Sequence, residues 1–246
     1  MDRSPYVVGP AGDFQHTHTI IFLHGRGSDC DEFASELFES EASDLLVPEG
    51  PRTLPALFRS VRWVFPSAPQ TLSERFGAVE PQWFDMWAVE SPDERFESQV
   101  KGLRQSVTLL EAVIANEEAL VPRNRIFLAG ISQGFAAAIT AALLARDSFA
   151  GLIGLCTWMP KRAYEAIRAV EGLDREERIV KSTSVFLAHS RDDGVVPVEN
   201  GRGLRDYLSQ HFPAIEWHEY ESAEHWIVEP EGVDDIVTFL RSHIGQ

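Results

Sequence analysis

Cysteine is scarce in this 246-residue chain: there are two, Cys30 and Cys156, far apart in sequence and the second inside an apolar segment. A disulfide framework or a metal cluster is therefore not expected, and a reducing cytoplasm is the expected compartment. Long apolar runs are missing too. No stretch approaches a membrane span, and the opening Met1-Asp-Arg-Ser-Pro5 lacks the basic region and apolar core of a secretory leader, so neither membrane insertion nor export is expected. Positive charge is in short supply, with 22 Lys and Arg against 38 Asp and Glu, a formal net charge of −16. That field repels polyanions and argues against nucleic acid or an anionic bilayer as a partner. Internal repeats, low-complexity tracts and the G-x-x-x-x-G-K-[ST] phosphate loop are all absent.

What is present suits one α/β domain over residues 1–246, since 44% hydrophobic content at this length can bury a large core. Continuous apolar runs at Thr19–Leu23, Val61–Phe65, Arg125–Ala129, Gly151–Leu155 and Ser184–Ala188 predict strands covered on both faces. Ile215–Tyr220 alternates and predicts an edge strand. Between them, Phe96, Val100, Leu103, Val107, Leu110 and Ile114 recur at helical spacing, as do Val233, Ile236, Val237 and Leu240. Alternating strands and helices imply a mostly parallel central sheet with helices on both faces. Residues 1–18 read as an N-terminal extension or edge element. The Pro-rich segment 40–60 and the segment 161–182, with a short amphipathic pattern at Tyr164, Ile167 and Val170, read as excursions able to border a site.

Chemistry concentrates after the strand ends. Gly130-Ile-Ser-Gln-Gly134 lies between an apolar run and the Ala-rich Phe135–Ala145, a strand, tight turn and helix with Ser132 at the apex. A hydroxyl pushed out of the sheet there is open to a base and to an approaching carbonyl. Serine needs a histidine base and a carboxylate to orient it, in doubly wound hydrolases in the order Ser, Asp or Glu, His. Asp192 and Asp193 follow one strand, and His225 lies between the last strand and the last helix. His16, His18, His211, His218 and His243 sit where solvated histidines are commonplace. His24-Gly-Arg-Gly-Ser28 follows a strand where such folds place half of an oxyanion hole, which makes the backbone N–H groups of Arg26 and Gln133 the candidate donors, with the His24 imidazole tying the loop down.

Ordered blocks Phe22–Asp29, Phe65–Pro69, Trp83–Asp85, Gly130–Gly134, Gly154–Pro160, Asp193–Pro197 and His225 resemble the acyl-protein thioesterase and phospholipase/carboxylesterase family of the α/β-hydrolase fold. The resemblance runs from about Thr19 to Leu240. It implies Ser132 as nucleophile, His225 as base and, because the family acid lies four residues before the proline that matches Pro197, Asp193 rather than Asp192 as acid. It also implies a serine hydrolase of acyl esters or thioesters working through an acyl-enzyme, with neither metal nor organic cofactor. The substrate it implies is an acylated small molecule or a lipidated protein; a lysophospholipase, a short-chain carboxylesterase and an inactive hydrolase-fold binding protein are the alternatives. Arg26 and Phe135 stand where the family often has leucine and glycine, near the expected substrate entrance. Met86, Trp87, Trp158, Met159 and Trp226, with Trp83, Phe84 and Val195 of the blocks, are expected to build the acyl-binding wall. A homodimer would show itself as an exposed apolar patch.

Overall fold

Strands whose every residue is buried belong at the centre of a sheet, and three of them set this architecture. The computed structural model describes residues 4–145, 147–172 and 182–245. In chain order its elements are β1 (Tyr6–Val8), β2 (His18–Leu23), α1 (Cys30–Glu39), α2 (Leu54–Leu57), β3 (Val61–Phe65), β4 (Gln70–Leu72), β5 (Val79–Pro81), α3 (Phe96–Glu118), β6 (Ile126–Ile131), α4 (Gln133–Ala145), β7 (Gly151–Leu155), α5 (Lys161–Val170), β8 (Ser184–Ser190), α6 (Val198–Leu208), β9 (Ala214–Tyr220) and α7 (Glu231–Ile244). β2, β6 and β7 are buried throughout. They lie inside a seven-stranded sheet of order β1-β3-β2-β6-β7-β8-β9, parallel except where β1 pairs antiparallel with β3.

β9 closes one edge, where Ala214 and Glu216 are exposed and the rest of the strand is half-buried or buried, and β1 closes the other. Two cores follow from the two faces. Leu103 and Leu110 of α3, Ile139 of α4, Ile167 of α5 and Leu204 of α6 pack on one. Phe33 and Leu37 of α1 with Ile236 and Leu240 of α7 pack on the other. Among the described residues no helix is long and apolar enough to cross a membrane.

The order places a switch point between β2 and β6: the chain leaves β2 toward β3 and leaves β6 toward β7. Their carboxyl ends therefore open a crevice at Leu23–Gly130, an adjacent pair in the ladder. Residues 40–60 do not border it. Glu41 bridges Thr53, and Leu54 and Phe58 are buried with α1 and β3, so this excursion extends the core. In the 161–182 segment, α5 packs in the core of the opposite face, and residues 173–181 lie outside the described residues.

Gly154 of β7 is a place where packing rather than turn geometry demands glycine. A Cβ there would stand 2.6 Å from the Phe135 ring and 2.8 Å from Leu187. Gly154→Ala is expected to lower stability by about 1–3 kcal/mol through overpacking, read as a lower urea midpoint with unchanged slope.

Candidate active site

Ser132 sits between β6 and α4 with φ of +54°, the left-handed region that a residue with a Cβ occupies only under constraint, at a cost of about 1–3 kcal/mol. The constraint is visible. Its N–H donates to Leu155 O (2.8 Å), and its carbonyl accepts from Thr157 Oγ1 (2.8 Å) and Ala136 N (3.3 Å), which clamps the turn onto the end of β7. The flanking glycines make room: a Cβ on Gly130 would lie 2.5 Å from Phe135 N, and one on Gly134 2.5 Å from both Leu23 O and His24 O. The strain thus falls on the serine, while the glycines permit α4 to press against β2.

The loop after β2 is fixed by groups that never reach solvent. His24 is buried; its Nδ1–H donates to Gly25 O (2.7 Å) and its Nε2 accepts from Ala68 N (3.0 Å), and burial lowers its pKa, which favours the neutral ring. Trp83 Nε1 donates to His24 O (2.8 Å). Gln133 joins the same frame, accepting from Trp83 N at Oε1 (2.8 Å) and donating from Nε2 to Phe84 O (2.7 Å). Arg26 and Gln133 both line the cleft, and Gln133 opens α4, where backbone N–H groups have no acceptor within the helix.

The two neighbouring aspartates divide their work. Asp193 Oδ1 accepts from the N–H groups of Val195 and Val196, both at 2.8 Å, and Oδ2 accepts from His225 Nδ1 at 2.8 Å, with His189 Nε2 at 3.2 Å. Burial alone would push this carboxyl up; hydrogen bonds from His189 and His225, the His225 charge and the Val196 N–H outweigh it and hold it below the usual carboxylate range. Asp192 turns to the loop that carries the histidine. Its Oδ1 accepts from Ala223 N (3.1 Å), Glu224 N (2.9 Å) and Ser190 Oγ (2.8 Å), and the Ala223 and Ser190 bonds lower its pKa to about 2.

Ser132 and His225 line one cleft of about 470 Å³. Among the described residues no hydrogen bond joins the Ser132 hydroxyl to His225, and in such pairs the contact often tightens only around substrate. Other histidines lie elsewhere: His16 and His18 flank the amino end of β2, His211 is buried past α6, His218 pairs with Asp235 (2.8 Å), and His243 meets Phe239 O. Burial lowers the His18 pKa to about 4.

Met86, Trp158, Val195 and Trp226 line the cleft, joined by Phe33, Val89, Ile131 and Phe76. The other residues expected in the wall lie elsewhere. Trp83 and Phe84 are fully buried behind it and brace the loop after β2 and the Gln133 side chain. Phe135 is buried against Gly154, not at the entrance. Trp87 stacks under the Arg95 guanidinium, 3.5 Å from its ring centre, and Met159 belongs to the core of the α3 face. Phe33 was not anticipated, although Cys30, Phe33, Ala34 and Leu37 follow helical spacing after the N-cap Asp29; it meets Trp226 edge-on at 5.9 Å.

Arg26 does reach the mouth. Its Nε donates to Glu80 Oε1 (2.9 Å), its Nη2 to Ser73 Oγ (2.9 Å), and its guanidinium stacks 5.0 Å from the Phe76 ring centre. These contacts tie the loop after β2 to the β4–β5 hairpin, as does the Gly27 N–H donating to Pro81 O (2.8 Å). Arg26→Leu keeps the backbone donor and the Gly27 bond. Turnover should therefore fall less than about tenfold, because a partly exposed ion pair contributes about 1 kcal/mol or less, while preference among leaving groups changes; kcat and KM for a panel of leaving groups read both.

The sequence pattern of the phospholipase/carboxylesterase family matches residues 6–244. The chain is 31% identical over 233 residues to acyl-protein thioesterase 1 of Yarrowia lipolytica, covering 93% of each chain. Among solved structures it is similar in fold to Zea mays acyl-protein thioesterase 2, with TM-score 0.73, 24% identity and complete coverage of both chains. It is also similar to Arabidopsis thaliana SOBER1, with TM-score 0.65 and 25% identity over 93% of this chain and 97% of that one.

Proposed function

The chain belongs to the phospholipase/carboxylesterase family of α/β-hydrolases, and on that premise we propose that it cleaves acyl thioesters or oxoesters through Ser132, His225 and Asp193 by way of an acyl-enzyme. The 2.8 Å bond from His225 Nδ1 to Asp193, beside a strained serine in the same apolar cleft, carries the reading. Asp193 holds the proton on Nδ1, which leaves Nε2 free to accept the proton of Ser132 as its oxygen attacks the acyl carbon. The N–H groups of Arg26 and Gln133 receive the developing oxyanion. The leaving thiol or alcohol takes the proton from His225, and water then attacks the acyl-serine by the same route in reverse. Asp192 keeps the His225 loop in place.

Phe33, Ile131, Met86, Trp158 and Trp226 make the cleft suited to an acyl chain, and the name of the Yarrowia relative supports an acylated protein as donor. Two buried free cysteines suit a reducing compartment, here read as the cytoplasm.

Ser132→Ala and His225→Ala should each remove nearly all turnover with the fold intact, since such groups act as a unit. A fluorophosphonate should label Ser132. Turnover by Ser132→Ala equal to the parent would defeat the assignment. In a series of thioesters of rising chain length, each methylene buried in the cleft should raise kcat/KM by up to about fourfold, from about 0.8 kcal/mol. Trp226→Ala should flatten that gradient; a gradient unchanged by Trp226→Ala would remove Trp226 from the acyl wall.

A further inference from the structure

One buried group beside the acid and base has no part in hydrolysis. Cys156 follows β7 in a left-handed conformation, φ +48°, with its N–H donating to Ala188 O (2.9 Å) and its Sγ 3.6 Å from Trp226 O. Those backbone bonds pin the thiol behind His225. Its Sγ, a carboxylate oxygen of Asp193 and a ring nitrogen of His225 all lie within 4.8 Å of one another. Cys156 and Asp193 are buried, and the His225 side chain is 23% exposed toward the cleft.

Sulfur, imidazole nitrogen and carboxylate oxygen at that separation form the donor set of a tetrahedral, borderline-soft divalent cation, with three protein ligands and a fourth position for water. Resting on the proposed function, we infer that Cys156, Asp193 and His225 form an inhibitory site for such a cation, Zn²⁺ being the representative, which switches the hydrolase off by capturing its acid and base. The cation replaces the His225–Asp193 hydrogen bond. His225 Nδ1 becomes a ligand and the ring proton moves to Nε2, so the imidazole stays neutral; the Cys156 thiol releases its proton to solvent. No electron is transferred. With Nε2 protonated, His225 has no site for the serine proton, and attack stops.

The local field has the right sign. Burial, with the neighbouring Asp193 and Asp192, pushes the thiol far above its ordinary pKa, so it rests protonated and a bound dication has to displace that proton, while the carboxylate charge beside it attracts the dication. Cys30, buried on α1, accepts from Ser67 Oγ (3.0 Å) and donates to Asp31 Oδ1 (3.0 Å), but among the described residues no third donor joins that pair.

The test uses the full chain stripped with chelator, then titrated with zinc chloride, and with cadmium chloride for its ultraviolet thiolate charge-transfer band. Zn²⁺ should inhibit the parent reversibly, with activity restored by chelator. Cys156→Ala should raise the inhibitory concentration about tenfold or more, measured against its own metal-free rate, since a direct ligand is worth no less than the 10–100-fold of an outer partner. Cys30→Ser should keep both the inhibition and the cadmium band. That variant leaves Cys156 as the sole thiol, so the band tests the site even if Cys156→Ala fails to fold. Equal inhibition of the parent and Cys156→Ala, no inhibition at all, or a band lost in Cys30→Ser would each overturn the inference. Fluorophosphonate labelling of the metal-free enzyme separates the two readings. Labelling without Cys156-dependent inhibition defeats the cation site alone, whereas a cadmium band in Cys30→Ser without labelling or turnover defeats the hydrolase reading and with it the inhibitory role, leaving only cation binding at Cys156.

Discussion

The close approach of the α4 amino terminus to the end of β2 is the constraint on which the site depends. With the Cβ of Gly134 and Gly130 absent, α4 can seat against Leu23 O and His24 O, and the turn between strand and helix becomes too tight for any residue in an ordinary conformation. Ser132 therefore takes φ +54°, held by Leu155 O on one side and Thr157 Oγ1 on the other. The same approach brings Gln133 to Trp83 and Phe84, and Trp83 to His24. One packing decision aligns the serine, the loop that carries Arg26 and the helix N-terminus, and buried hydrogen bonds prevent them from drifting apart.

Electrostatics then gives two adjacent carboxylates different tasks. Asp193 is buried and kept ionised by backbone and imidazole donors, which fixes the proton of His225. Asp192 spends its Oδ1 on the loop N–H groups of Ala223 and Glu224, which fixes where that imidazole stands. A base that is both oriented and positioned is what a weak nucleophile requires. The charge that performs this task also surrounds Cys156, so catalytic pre-organisation and cation affinity have a common origin.

The inner strands were legible because full burial on both faces demands unbroken apolar runs, as Thr19–Leu23 and Gly151–Leu155 show. β1, β4 and β5 were not, being three residues each with no residue buried. α6 was hidden by Gly201 and Gly203, whose low helix propensity is overridden by packing of Val198, Leu204 and Leu208. In the cleft, apolar character alone could not sort Trp158 and Trp226, which line it, from Trp83 and Phe135, which support the frame behind it. Both the wall and the frame behind it are apolar, so composition is the same in each.

By itself, the sequence determined the alternation of strands and helices, the family blocks and the candidate nucleophile, acid and base, because each depends on residue type at a local or ordered position. Tertiary structure alone decided that Asp192 holds the His225 loop, which aromatics meet the cleft, how Arg26 joins the β4–β5 hairpin, and that Cys156 stands beside Asp193 and His225. Those are contacts between segments tens of residues apart. They exist only once the sheet order brings the ends of β2, β6, β7 and β8 to one edge, and no local spacing encodes a distance across a fold.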